Sequence, residues 1–331
     1  MQPMDRSPDA TAALELDVLT IGEPMVLFAA EEPGPLASVN RFRRFCAGAE
    51  LNVAIGLARL GLRVGYLSRV GGDSFGKFLL ETMANEGVDT ELVSADGFQS
   101  TGFMLKSRAT DGSDPQVEYH RRGSAASAMD ASDLQRLAPV RARHLHLTGI
   151  TPALSGGCRE LVFEAVRWAR RSGLRVSFDP NIRPQLWPSA EEMAETLNEL
   201  AGLCDLVLPG IEEGRRLTGL QDPAEICAYY LAQGASQVVV KLGAEGAWCA
   251  DRAGLAQHVP GVPVAHVVDT VGAGDGFAVG VVSGLIEGLG LPAAAMRGNL
   301  IGARVVQHPG DSDGLPRRRE LEAASIPPST A

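Results

Sequence analysis

Short apolar runs and helix-period stretches take turns along most of this chain, and that alternation restricts the fold more than any other feature. Residues 17–21, 64–67, 144–147, 175–178, 206–208 and 238–241 read as buried strands. Between them, Leu51, Ala54, Ile55 and Ala58 fall at helical spacing, and Gly61 stands where a C-cap glycine belongs. Residues 75–86, closed by Gly87, and 159–171 and 191–200 read as further helices. A strand that is followed each time by a helix returns as a parallel strand. The expected fold class is therefore α/β, a doubly wound, mainly parallel sheet flanked by helices. Two stretches break the rhythm. Residues 25–46 and 101–122 are extended or irregular, and we expect them to meet as a small β-sheet lid over a cleft. The plain alternative is a pair of hairpins without a task.

The 331 residues suit one large α/β domain, which we place at 16–320 between a disordered leader at 1–15 and a tail at 321–331. Hydrophobic residues at 45% supply a core, and 21% charged residues argue against disorder. A net charge of −10 disfavours general nucleic-acid or membrane-surface binding, yet leaves room for a few focused arginines to hold an anion. Cys46, Cys158, Cys204, Cys227 and Cys249 are scattered and odd in number, which reads as reduced thiols in a cytoplasmic protein rather than disulfides or a zinc site.

The chemistry concentrates in Asp269-Thr270-Val271-Gly272-Ala273-Gly274-Asp275-Gly276-Phe277. Glycines let backbone N–H groups approach an anion closely, and a helix opening at this point adds partial positive charge. An acid beside such an anion site is repelled by the anion, so Asp275 makes sense as a base that takes a proton from an attacking hydroxyl. The turn does not fit a P-loop, and Phe277 occupies the sixth position of a dinucleotide fingerprint. Its bland reading is a capped glycine-rich turn. Elsewhere, Lys241 ends a strand before a tight loop with Gly243 and Gly246; a plain hairpin explains that segment equally well. Asp179-Pro180-Asn181-Ile182-Arg183 follows a strand at its C-terminal end, where ligands bind in open α/β sheets. Tyr119 and Arg121 alternate, so on a strand they share one face. Gly48 opens a helix, and Asn52 lies one turn in, where its poor propensity suggests a polar task.

Together these strings resemble the PfkB, or ribokinase-like, sugar-kinase family over nearly the whole chain. One signature is matched by Ala47-Gly48-Ala49-Glu50-Leu51-Asn52 through Gly72-Asp73, the other by residues 269–277. Gly22-Glu23-Pro24, Tyr119-x-Arg121, Gly149-Ile150-Thr151-Pro152, Asp179-Pro180-Asn181-x-Arg183 and Gly310-Asp311 are most similar to the branch that phosphorylates 2-dehydro-3-deoxygluconate on its 6-hydroxyl. The resemblance implies ATP and Mg²⁺. It implies Lys241, Gly243, Gly246 and Asn299 at the nucleotide, Gly272, Ala273 and Gly274 as anion hole, and Asp275 as base. It also implies Gly48, Asn52, Tyr119, Arg121, Ile150, Arg183 and Asp311 at the sugar acid, Glu213 near the metal, a monovalent cation near Asp269, and a homo-oligomer. The chain departs from the family at Ala47, where a glycine is usual, at Gly210, where an asparagine is usual, and at Met104, where several members have tyrosine. The competing readings are another sugar kinase of the family (5-dehydro-2-deoxygluconokinase or fructokinase), a non-catalytic sugar sensor, and a dinucleotide-dependent dehydrogenase.

Overall fold

The computed structural model describes residues 13–108, 115–308 and 310–324. The large sheet has ten strands. Across it run Ala256–Pro260, Gly246–Asp251, Gln237–Lys241, Leu206–Val207, Arg175–Asp179, His144–Thr148, Val18–Ile21, Val64–Gly71 and Val88–Asp89, with Val93–Asp96 also on Val64–Gly71. The pairs from Val88–Asp89 to Gln237–Lys241 are parallel, and the last two strands close the edge antiparallel. Alternate residues of one strand face opposite layers. Leu19 and Ile21 join one core, and Val18 joins the other. The strands read from apolar runs are thus buried on both faces, as parallel strands between helix layers must be.

From Val18–Ile21 the chain goes first to Val64–Gly71 on one side and later to His144–Thr148 on the other. The strand order reverses there, and a crevice opens beyond the strands' C-terminal ends. Glu23, Ile150, Asp179, Asn181 and Lys241 all lie at those ends. One core layer is built on Ala273–Ile286, a helix apolar on every side and packed against Ala49–Arg59 and Leu291–Val305. A Cβ on Gly280 would lie 2.5 Å from the backbone of Gly298, so only glycine allows these two helices to approach so closely.

A second, four-stranded sheet grows directly out of the C-terminal end of Val18–Ile21. Its order is Phe42–Ala47, Met25–Pro33, Phe103–Arg108, Val117–His120, and its central pair is parallel. The two irregular stretches of the sequence supply these strands. Residues 109–114 of the second stretch lie outside the described residues. Met104 sits opposite Tyr119 and Lys106 opposite Val117, so these four share a face.

Two boundaries differ from expectation. The leader placed at 1–15 ends earlier, because Leu14–Glu15 pairs in parallel with Val140–Arg141 and Leu14 packs on the core; residues 1–12 lie outside the described residues. The tail placed at 321–331 begins inside the helix Arg318–Ala324, whose Leu321 is buried, and 325–331 lie outside the described residues. All five cysteines are buried and free. Among the described residues no helix is long and apolar enough to cross a membrane.

Candidate active site

Asp275 lies in the first turn of Ala273–Ile286 and is buried. Asn52 Nδ2 donates to one carboxylate oxygen at 2.8 Å and Asn181 Nδ2 to the other at 3.2 Å. Asn52 is held one turn into its helix, whose start is Gly48 with φ 132°. Asn181 has φ 37°, a left-handed backbone that turns the 179–183 loop back toward the helix. Burial pushes Asp275 up to about 7; Asp179 and Asp311 push the same way, while the Asn52 hydrogen bond and Arg183 oppose them. A carboxylate near neutrality, oriented by two amides, has the properties of a general base. The Asn52 Oδ1 atom is buried and has no hydrogen-bond partner, so an acceptor remains open beside the base.

Gly272 caps the helix with φ 83°, and a Cβ there would fall 2.4 Å from the carbonyl oxygen of Asp311. Both the turn and the close approach therefore need glycine. The N–H groups of the first helical turn have no carbonyl within the helix to bind. Lys241 reaches this turn from the end of its strand. Its Nζ donates to Asp179 Oδ2 at 2.6 Å and lies 3.6 Å from where a Gly274 Cβ would be. Burial alone would lower the Lys241 pKa, but Asp179, Glu213 and Asp275 outweigh it and keep the ammonium charged. Backbone dipoles and an ammonium thus converge on one spot next to Asp275, an arrangement suited to a transferring phosphoryl group.

Beside the 179–183 loop, a cavity of about 450 Å³ is lined by Tyr119, Arg121, Arg122, Arg183 and Leu186, among others. Arg121 follows the strand Val117–His120, and its guanidinium lies 5.8 Å from the Tyr119 ring. The expected shared face holds, though Arg121 is buried and Tyr119 is exposed. Arg121 is also partly neutralised, because its Nε donates to Glu23 at 2.6 Å. The Arg183 guanidinium folds back on the carbonyl of Ile182 at 2.9 Å. Ile150 is buried at the start of Thr151–Leu154, the short helix whose Ala153 and Leu154 line the same cavity. A more open hollow of about 580 Å³ runs past Ile182, Glu212 and Arg216. Both carboxylates that line it are engaged, Glu212 by Arg215 at 2.5 Å and Glu213 by backbone N–H groups.

On the other side of Lys241, the loop with Gly243 (φ 61°) and Gly246 (φ 100°) meets Asn299. Asn299 Nδ2 donates to the carbonyl of Pro260 at 2.9 Å, and Pro260 pairs with Gly246. Glu213 acts on Lys241 through its charge alone. Its oxygens accept the N–H groups of Ile182 at 2.9 Å and Gly210 at 2.7 Å. In place of an asparagine side chain, Gly210 contributes only backbone, and Glu213 fixes the 179–183 loop from behind. Among the described residues no group of three or more His, Cys, Asp or Glu side chains is placed to hold a metal. His144 and His146, to which the sequence assigned no task, share the Ser177 hydroxyl in the core.

Four functional side chains carried no assignment in the sequence. Asp179 and Asn181 lie in the same segment as Arg183, the residue there with an expected binding task. Glu23 accepts from both Arg121 and Ser124. Lys106 reaches Asp269 and Asp311 from the small sheet. The available signal for Lys106 was its position two residues after Met104, a charge at an inward place on a strand.

The family model described as pfkB family carbohydrate kinase matches residues 15–318. A 2-dehydro-3-deoxygluconokinase of Bacillus subtilis is 48% identical over 310 residues, which are 93% of this chain and 95% of that one. A PfkB protein from Polaromonas sp. JS666 superposes with a TM-score of 0.85 at 51% identity, over 93% of this chain and 99% of that one. A putative ribokinase II of E. coli solved with ATP and Mg²⁺ superposes with a TM-score of 0.85 at 28% identity, covering 93% and 98% of the two chains. A fructokinase double mutant from Vibrio cholerae O395, solved with fructose, ADP and potassium, gives 0.82 at 28% identity, covering 94% and 98%. With a buried carboxylate in the first turn of a helix, a ribokinase-like sheet order and a family match along nearly its whole length, this chain belongs to the pfkB family of carbohydrate kinases.

Proposed function

We propose that this kinase transfers the γ-phosphoryl group of ATP to the 6-hydroxyl of 2-dehydro-3-deoxy-D-gluconate, forming 2-dehydro-3-deoxy-6-phosphogluconate and ADP. The observation that carries the reading is the placement of Arg121 and Arg183 in one cavity, with Arg183 close enough to act on Asp275. A sugar acid gives a guanidinium pair a carboxylate to hold, whereas fructose or ribose does not. The B. subtilis relative, named for this substrate, supports the same choice.

With the carboxylate end held by the arginines, the far hydroxyl is directed toward Asp275. The Asp275 carboxylate accepts the hydroxyl proton as the oxygen attacks the γ-phosphorus. The bond to the β-phosphate oxygen breaks, and ADP departs with its electron pair. The amides at 272–274 and the Lys241 ammonium face the charge on the transferring group. The open Asn52 oxygen is available to a hydroxyl of the same sugar. Gly243, Gly246 and Asn299 shape the loop along the nucleotide. Magnesium fits as an ion carried by the nucleotide phosphates, because Asp179 is already paired with Lys241 and both Glu213 oxygens with backbone. When bound it draws charge from the phosphate oxygens. The small sheet excludes water as a competing acceptor when it closes.

A coupled ADP-release assay over a panel of sugars tests the reading. We expect kcat/KM on the 2-dehydro-3-deoxy sugar acid to exceed that on fructose or ribose by roughly 100-fold or more, because a neutral sugar leaves the two guanidinium groups without their charged acceptor. Equal turnover on fructose, ribose or 5-dehydro-2-deoxygluconate overturns it.

A further inference from the structure

We propose that the Lys106 ammonium is a tethered cation for the anion-hole turn, filling the place between Asp269 and Asp311 that a soluble monovalent cation would otherwise take. The inference rests on the kinase reading. Lys106 is buried, and its Nζ lies 2.5 Å from Asp269 Oδ2 and 3.4 Å from Asp311 Oδ1. Both carboxylates belong to the walls of the turn. Asp269 Oδ1 accepts the N–H of Val271 at 3.0 Å, one residue before Gly272. Asp311 lays its main-chain carbonyl against Gly272 itself. Two nearly buried carboxylates at one spot need a positive charge between them, or one must take a proton. Lys106 supplies that charge from the small sheet, 163 residues away from Asp269 in the sequence.

The ammonium therefore does two things. It holds the start of the turn and the Asp311 segment at fixed separation, which sets the direction of the amides at 272–274. It also makes that geometry depend on the small sheet, because Lys106 stands on the strand Phe103–Arg108 beside the residues that reach the sugar cavity. The Lys106 side chain itself supplies the single positive charge between the two carboxylates. Lys106 is a positioning residue, acting through the turn rather than on the substrate.

The test compares the wild type, Lys106→Ala and Lys106→Met in tetramethylammonium chloride, potassium chloride and methylammonium chloride at equal ionic strength. Tetramethylammonium is too large to enter the gap. Wild-type kcat is expected to stay within about twofold across the salts, whereas Lys106→Ala falls about 100-fold in tetramethylammonium, the scale of one lost oxyanion-hole donor. Potassium or methylammonium then restores Lys106→Ala by about tenfold or more, while Lys106→Met, with its space filled by a neutral chain, stays low in every salt. Should Lys106→Ala fold poorly, a melting temperature raised by potassium in that variant and not in the wild type supports the inference in the same way. A wild type that needs potassium, a Lys106→Ala enzyme fully active in tetramethylammonium, or a loss that no small cation relieves each overturns the inference. A wild type that turns over no sugar in any salt overturns the kinase reading instead.

Discussion

Asp275 is caught between opposing effects, and their balance makes it usable near neutral pH. Two amide donors favour its ionised form, while burial and the neighbouring Asp179 and Asp311 disfavour it, and burial wins, with a pKa of about 7. As the base, it must be ionised in the free enzyme. We therefore expect kcat/KM to rise about tenfold per pH unit below about pH 7 and to level off above it. Stability runs the other way. The folded pKa lies above the ordinary 3.8, so the contribution to stability is full below that value and is lost as pH rises through about 7. Asp275→Asn removes the ionisation and should abolish turnover while melting higher than the wild type at pH 8. That gap should shrink toward pH 4. Paired melting curves at the two pH values check the sign, and a gap that stays constant refutes the account by burial. The glycines, Asn52 and Asp275 were legible in the sequence because residue type and local spacing expose their chemistry. Glu23, Lys106 and Asp179 carry no such local signal, and only their partners, 98, 163 and 62 residues distant in the chain, give them a place.

The helix Ala273–Ile286 is a structural member and, on the proposed reading, a catalytic part, and substitutions at its start separate the two. Gly272 cannot take a side chain, for its φ is positive and Asp311 is in contact. Gly274 is different: an added Cβ would meet only Lys241 Nζ, at an ordinary 3.6 Å. Alanine also favours the helix by roughly 1 kcal/mol over glycine. Gly274→Ala should thus fold as well as the wild type or slightly better, yet lose about 10- to 100-fold in kcat, because the methyl group stands between the ammonium and the incoming phosphoryl oxygens. Thermal melting and steady-state rates on the same preparation check this. An unchanged kcat would mean that the phosphoryl group does not pass along this turn. At this scale the sequence was informative wherever one layer of neighbours decides the pattern. The doubly buried strands announced themselves as apolar runs. The edge strand Ala256–Pro260 did not, because only Val259 is buried and no alternation marks it. That Met25–Pro33 and Phe103–Arg108 meet in one small sheet was expected, but their parallel register was hidden for another reason: it joins residues about 77 positions apart, and a register of that kind is set by tertiary contact.

At the scale of the whole molecule, the small sheet reaches both halves of the candidate site. Its last strand leads Tyr119 and Arg121 to the cavity proposed for the sugar, and the neighbouring strand sends Lys106 to the turn proposed for the phosphoryl group. On the proposed reading, a sugar acid that drew the arginine side inward would also seat the ammonium, and each ligand would prepare the site for the other. Linkage makes this reciprocal, and couplings of this kind are typically 1–3 kcal/mol. We expect a non-hydrolysable ATP analogue to bind about tenfold tighter in the presence of saturating sugar acid, and the sugar acid to gain the same factor from the analogue. Fructose, with no carboxylate for Arg121 and Arg183, should give little coupling. Titration calorimetry in both orders measures it. If the two ligands bind independently, the small sheet does not close over them, and exclusion of water from the transfer must then come from the fixed walls of the crevice alone.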